Sequence, residues 1–230
     1  MYELKWLTRC RSPQLLTASP PMPLSKPHGL SAEYWRRLPP AHQELYAIVR
    51  PLTAASYEVD VHLARVPSFL DRLKSDVEAA GGSFELQPDF QRGHVWSPEQ
   101  QVRFIESLLR GCAPARILFN CPGWLGAASA QSGDIAPQTL QCIDGLQRLT
   151  AAVKFVKGDL AVFDGRTASD FEGTPFDLNR LRLQVAVFEF SRRADLLQFY
   201  LDLNAGGTVH SRQELERVAA LRTAATRPGA

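Results

Sequence analysis

Five consecutive residues, Asp144-Gly-Leu-Gln-Arg148, place a carboxylate, a glycine and a guanidinium where the chain changes its hydrophobic pattern. The preceding run, Thr139 to Ile143, is strand-like, whereas the following residues repeat with helical spacing. A carboxylate at the end of a strand can hold a metal ion or a water molecule, and the first N–H groups of a helix attract phosphate. Arg148 adds a bidentate phosphate donor. Alternatively, Asp144 only caps the helix and Arg148 pairs with a surface carboxylate.

A second polar group lies upstream, between Asp89 and Trp96, directly before another predicted helix. Gln91 and Arg92 could face a nucleotide, with Arg92 on a phosphate and an aromatic ring stacked on the base. The simpler interpretation is a loop in which Phe90 and Trp96 anchor the core and Arg92 forms an ordinary salt bridge.

A third group, Asn204 with Gly206, Gly207 and Thr208, follows a predicted helix. Its amide could contact a ligand, or the glycines could simply stop the helix and begin a turn. Each group alone is weak support for a binding site.

Composition places the chain among globular proteins, with 230 residues, 45% hydrophobic and 22% charged. The net charge of +2 is too small to indicate a nucleic-acid binder by itself. Four cysteines show neither zinc-ligand nor disulfide-framework spacing, which favours reduced, mostly buried thiols. No stretch approaches the ~18 apolar residues of a membrane span, and the N-terminus lacks a secretory pattern, so we expect a cytoplasmic protein without membrane partners.

The elements that must position these groups alternate irregularly, and the strands are short. This favours a compact α+β domain over a doubly wound parallel sheet. We predict an N-terminal arm with short helices over 1–56, one domain over 57–222 and a frayed tail over 223–230. Expected strands cover 57–63, 84–86, 116–120, 139–143, 160–163 and 181–190.

Helix signals separate these strands. We expect short helices after Ser31 and Pro39-Pro40, then longer helices capped by Ser68 and by the Ser97–Gln100 capping box. Further helices are expected after the Asp144–Arg148 motif, ending at Gly158, over 193–203, and from a Ser211–Glu214 capping box to about Arg222. The Gly, Ala and Ser-rich stretch 121–137 is predicted to be a loop.

Taken in order, four motifs form a specific pattern. They are Pro88-Asp-Phe-Gln-Arg-Gly-His-Val-Trp96, Ser97-Pro-Glu-Gln100 with Phe104 to Gly111, Ile143-Asp-Gly-Leu-Gln-Arg-Leu-Thr150, and Phe199-Tyr-Leu-Asp-Leu-Asn-Ala-Gly-Gly207. Over residues 57–220 the chain resembles the GmrSD-type restriction-endonuclease N-terminal domain family, which is related to the ParB nucleotide-binding domain and to sulfiredoxin.

This resemblance implies a ParB/sulfiredoxin-like fold with a short mixed sheet. It also implies nucleoside triphosphate binding with Mg²⁺, and hydrolysis coupled to cleavage of phage or modified DNA. By motif match, the implied catalytic residues are Asp144, Gln147 and Arg148, with Asp144 as the metal residue, and the implied nucleotide-binding residues are Gln91, Arg92, Gly145 and Asn204.

In chemical terms, Asp144 would hold a divalent ion through water or orient the attacking water. Arg92 and Arg148 would neutralise phosphate charge, while Gln147 could position water or contact the base. The implied partners are a nucleotide and DNA, and the resemblance leaves open a nuclease partner chain or a homodimer in a bacterial or phage-infected cell.

Two departures from the family pattern are visible. The usual motif is Asp-Gly-Gln-Gln-Arg, and here Leu146 replaces the first glutamine, which is expected to remove one polar contact. No His-Asn-His nuclease motif follows residue 210. Both departures favour an alternative function, a noncatalytic DNA-binding or adaptor protein. Direct DNA nicking would need paired carboxylates at nuclease spacing, which the sequence lacks, and the surroundings of Cys142 do not resemble the sulfiredoxin motif.

Overall fold

The computed structural model describes residues 26–27, 30–49, 51–91, 96–126, 133–205 and 212–226. The chain divides into two compact units, Met1–Pro51 and Leu52–Ala230. The longest described helices have 14 residues, and none of the described helices is long and apolar enough to cross a bilayer.

The first unit contains the two short helices predicted for it, α1 (Ala32–Arg37) and α2 (Pro40–Val49). Ser31 caps α1 by accepting a hydrogen bond from a first-turn N–H, as its position before the helix predicts. Trp35 is buried, and Gln43 of α2 donates to its carbonyl at 2.9 Å. The side chain of one helix thus holds the end of the other.

The described part of the second unit is α+β, as predicted. In chain order its elements are β1 (Tyr57–His62), α3 (Val66–Ala79), β2 (Ser83–Glu85), α4 (Pro98–Leu109), β3 (Arg116–Asn120), β4 (Thr139–Asp144), α5 (Leu146–Val156), β5 (Arg182–Phe188), α6 (Arg193–Ala205) and α7 (Arg212–Ala225). The five strands form one mixed sheet in the order β1-β5-β3-β4-β2. β1 runs antiparallel to β5 and β4 runs antiparallel to β3, whereas β3–β5 and β2–β4 are parallel pairs.

The strand β4 contributes to two hydrophobic cores, because successive strand side chains point to opposite faces. Leu140 and Cys142 belong to the larger core, which is packed by α3, α4 and α5. Ile143 belongs to the smaller core with α6 and α7. All three side chains are fully buried, so β4 carries apolar residues on both of its faces, although the buried polar Gln141 lies between Leu140 and Cys142.

The helix α3 begins earlier than its predicted cap. Its N-cap is Arg65, and Pro67 lies in the first turn, where a fixed φ and a missing N–H cost nothing. Ser68 lies inside the helix and donates to the Arg65 carbonyl at 3.1 Å. The prediction that Ser68 caps this helix is therefore wrong, because proline at the helix start takes precedence.

The predicted strand over 160–163 is absent from the described structure, which has a tight turn there. Val162 and Arg166 form a single bridge around Phe163 and Asp164, whose φ angles are +44° and +59°. Two successive residues with left-handed backbone form a turn and cannot continue a strand. Leu160 and Val162 pack into the larger hydrophobic core, but this stretch adds no strand to the sheet.

The final helix α7 ends at Ala225, three residues beyond the predicted end at Arg222. The side chains of the expected Ser211–Glu214 capping box lie outside the described residues. The other predicted helices and strands are confirmed to within a few residues at their ends.

Candidate functional site

The junction between β4 and α5 has the strand-to-helix geometry that the sequence predicts. β4 ends at Asp144, and Gly145 is the N-cap of α5 with φ +95°. A Cβ atom at Gly145 would lie 2.7 Å from Cδ1 of Ile117 on β3. The left-handed backbone favours glycine, and the Cα of Ile117, 3.2 Å from such a Cβ, leaves little room for a side chain.

Asp144 and Arg148 form an ion pair one helical turn apart, between Oδ2 and Nη2. Arg148 is only 17% exposed, whereas Asp144 is 41% exposed. No side chain caps α5, so Asp144 does not act as a helix cap. Arg148 does pair with a partly exposed carboxylate, as the structural alternative expects, and that carboxylate is Asp144 of the same motif. The site combines an accessible carboxylate with a guanidinium that packing holds in place.

Two glutamines join the segment Asp89–Trp96 to β4 and to the motif Asp144–Arg148. Gln91 donates through Nε2 to the Cys142 carbonyl at 2.7 Å, and Gln147 Oε1 accepts from the Trp96 N–H at 3.2 Å. β2 pairs with β4 as far as Gln141, so Gln91 bonds the next carbonyl along β4. Both amides thus hold the protein's own backbone. Arg92, between the two anchored ends, lies outside the described residues.

Leu146 lies in the larger hydrophobic core and is 4% exposed. Position 146 therefore contributes to packing under α5 and not to the accessible part of the site. The substitution changes the core that supports Asp144 and Arg148.

Asn204 reaches the other motifs indirectly. Its Nδ2 donates to the Tyr200 carbonyl one turn earlier in α6, at 2.7 Å. The Tyr200 ring packs edge-on against Phe90, with centroids 5.4 Å apart, directly before Gln91. Among the contacts of the described residues, none joins the Asn204 side chain to Asp144 or Arg148. The structure connects the three motifs through Phe90 and Gln91.

Two arginines that the sequence analysis did not single out hold the segment before Gln91. Arg193, at the start of α6, binds both carboxylate oxygens of Asp89 at 2.7 and 2.6 Å. Arg217 of α7 donates to the carbonyls of Asp89 and Phe90 at 2.8 and 2.9 Å. These partners are more than 100 positions apart in the chain, so no local pattern could have indicated them.

The cysteine beside the site, Cys142, is a fully buried, free thiol. Burial, with a smaller contribution from the Asp144 charge, raises the pKa of Cys142 to about 12. Burial likewise raises the pKa of Cys121 to about 12. Both are free, buried thiols, as predicted, whereas Cys112 is exposed. A cysteine-based redox role would need an accessible thiolate, which Cys142 does not supply at neutral pH.

Within the described ranges, no three His, Cys, Asp or Glu side chains group together as metal ligands. Asp144 supplies one accessible carboxylate. Mg²⁺ commonly takes one or two protein carboxylates, so an ion held by Asp144 would need its remaining ligands from water and substrate phosphates.

Comparison with protein-family models matches residues 73–188 to the GmrSD restriction endonuclease, N-terminal domain. No curated protein and no solved structure matches the chain. The matched stretch is just over half of the chain, includes the polar groups at Asp89–Trp96 and Asp144–Arg148, and ends before Asn204. The chain therefore belongs to the GmrSD restriction endonuclease N-terminal domain family.

Proposed function

We propose that this protein binds a nucleoside triphosphate at the β4–α5 junction and acts with DNA in a restriction system. The observation that carries the proposal is a pair of hydrogen bonds beside the Asp144–Arg148 ion pair. Gln91 bonds the Cys142 carbonyl, and the Trp96 N–H bonds Gln147. Residues from two motifs 51 positions apart are brought together at an accessible carboxylate and a packed guanidinium. Family membership supports the restriction setting.

Each side chain of the junction has a chemical task in this proposal. Arg148, now paired with Asp144, would turn its fork of donors to a phosphate, and the first N–H groups of α5 would add positive potential. Asp144 would orient a water molecule, directly or through a bound Mg²⁺. The metal ion, when bound, neutralises charge on the phosphates.

The proposal includes a ParB/sulfiredoxin-like architecture. It is supported by the mixed five-stranded sheet with the second motif at the end of β4. Gly145 would let the backbone approach the nucleotide, Arg92 would contact a phosphate, and Asn204 would complete the site from α6.

Thermal unfolding in the presence of ATP, GTP, CTP or UTP with Mg²⁺ tests binding. A nucleotide at ~100 times its dissociation constant adds about 2.7 kcal/mol of stability. Asp144→Asn and Arg148→Gln should abolish the increase. Arg182→Gln should retain the increase in stability, because Arg182 of β5 pairs with Asp60 of β1 and has no part in the proposed site. If no nucleotide raises the midpoint for the wild-type protein, the proposed binding is wrong.

A binding-only adaptor on DNA is the second candidate, and one observation favours it. Gln147, which was expected to position water, is bonded to the Trp96 backbone. Phosphate release separates the two functions. A hydrolase releases phosphate, and Asp144→Asn reduces the rate, whereas an adaptor binds nucleotide without release. DNA binding in either case should weaken steeply between ~50 and ~200 mM salt.

A further inference from the structure

The segment Pro88–Gln91, here called the Asp89 loop, is held by two C-terminal helices. Arg217 of α7 donates to two consecutive carbonyls, those of Asp89 at 2.8 Å and Phe90 at 2.9 Å. Arg193 of α6 binds the Asp89 carboxylate at 2.6 Å. One helix therefore holds the main chain of the loop, while the other holds its side chain.

The Asp89 loop in turn forms a hydrogen bond with the backbone of β4. Phe90 is fully buried against Tyr200, and the next residue, Gln91, donates to the Cys142 carbonyl at 2.7 Å. Cys142 lies two residues before Asp144. A displacement of the Asp89 carbonyls would be transmitted through Gln91 to the strand end that presents Asp144.

We propose that Arg217 is a positioning residue for the nucleotide site, which makes this inference depend on the function proposed above. Its planar fork matches two successive carbonyls, and a lysine offers only a single point of charge. Arg217 is exposed, so its removal leaves no buried charge behind. The loop would instead sample several conformations, and nucleotide binding would have to restore the ordered one.

The decisive comparison uses two arginines of the same helix. Arg217→Ala should weaken nucleotide affinity about tenfold or more, equivalent to about 1.4 kcal/mol. Arg222→Ala is the matched control, because Arg222 also crosses to α6, where it bonds Gln198, but within the described part of the chain it forms no hydrogen bond with the Asp89 loop. Arg222→Ala should leave affinity within about twofold of wild type. Arg217→Lys should lie between Arg217→Ala and wild type.

Equal affinities for Arg217→Ala and wild type would overturn the proposal, as would equal losses in both alanine variants. The melting temperature of each variant, measured in parallel, distinguishes a loss of nucleotide affinity from a loss of stability. A loss of affinity that follows the melting temperature in both variants indicates a merely structural role.

A measurement without nucleotide tests the same contact independently. The Gln91 N–H donates to the Pro88 carbonyl at 2.9 Å and should exchange faster with deuterium in Arg217→Ala than in Arg222→Ala. If no nucleotide binds the wild-type protein, the proposed function fails, whereas this exchange rate still decides whether Arg217 holds the loop. Unchanged exchange in Arg217→Ala refutes that role.

Discussion

Asp144 and Arg148 form an ion pair whose two members are unequally exposed. If the site binds a phosphate as proposed, the guanidinium, at 17% exposure, would lose little conformational freedom on binding. The carboxylate, at 41% exposure, remains open to water or a cation. A partly screened pair of this kind contributes little to stability, so its substitution should affect ligand binding far more than folding.

Leu146 gives a prediction at the same scale. Replacing it by glutamine restores the family motif but places an amide in a core position that is 4% exposed. We expect Leu146→Gln to lower the free energy of unfolding by about 2–4 kcal/mol, because apolar burial is lost and a polar group is desolvated. Urea denaturation measures the change.

Leu146→Met is the control, because methionine conserves volume and should cost less than about 1.5 kcal/mol. A Leu146→Gln variant as stable as wild type, with tighter nucleotide binding, would show that position 146 faces the ligand.

At the scale of elements, the junction of β4 with α5 depends on Gly145. Gly145→Ala introduces a Cβ at φ +95° and 2.7 Å from Ile117 Cδ1. We expect a loss of about 2–4 kcal/mol, which combines left-handed strain with overpacking against β3. Thermal or urea unfolding of the purified variant measures the loss.

Gly158 offers a matched comparison at the other end of α5. Its φ is +81°, but an added Cβ would meet no atom within 4 Å. Gly158→Ala should therefore cost only the backbone strain, about 1–2 kcal/mol. Equal losses at Gly145 and Gly158 would contradict the argument that contact with Ile117 constrains the junction.

At the scale of the whole molecule, the division at Pro51 and Leu52 makes a prediction about truncation. A protein beginning at Leu52 should unfold cooperatively, with a midpoint within about 3 °C of the full chain and the same nucleotide response. Calorimetry of both proteins measures this.

A protein beginning at Leu63 is the contrasting truncation, since it lacks β1. β1 pairs with β5 from Tyr57 to His62 and buries Val61, so its loss should lower the midpoint by more than ~10 °C. If removal of residues 1–51 were equally damaging, the two units would not be independent in stability.

Local signals in the sequence were sufficient for most elements and for the motifs. The Ser97 capping box predicts α4, and the change from an apolar run to helical spacing predicts the β4–α5 junction. Errors arose where a nearby residue overrode a local preference. Pro67 moved the start of α3, and left-handed backbone at Phe163 replaced a strand with a turn.

The sequence by itself determined the α+β class, the candidate residues and the family resemblance, because capping, periodicity and motif order are properties of neighbouring residues. Only the tertiary structure decided what each side chain contacts. It placed Leu146 in the core. Gln91 and Gln147 form hydrogen bonds with the backbone of other segments. Arg193 and Arg217 bind Asp89 from the C-terminal helices. Such contacts join positions 51 to 128 residues apart, and they form only when the sheet and its helices pack together.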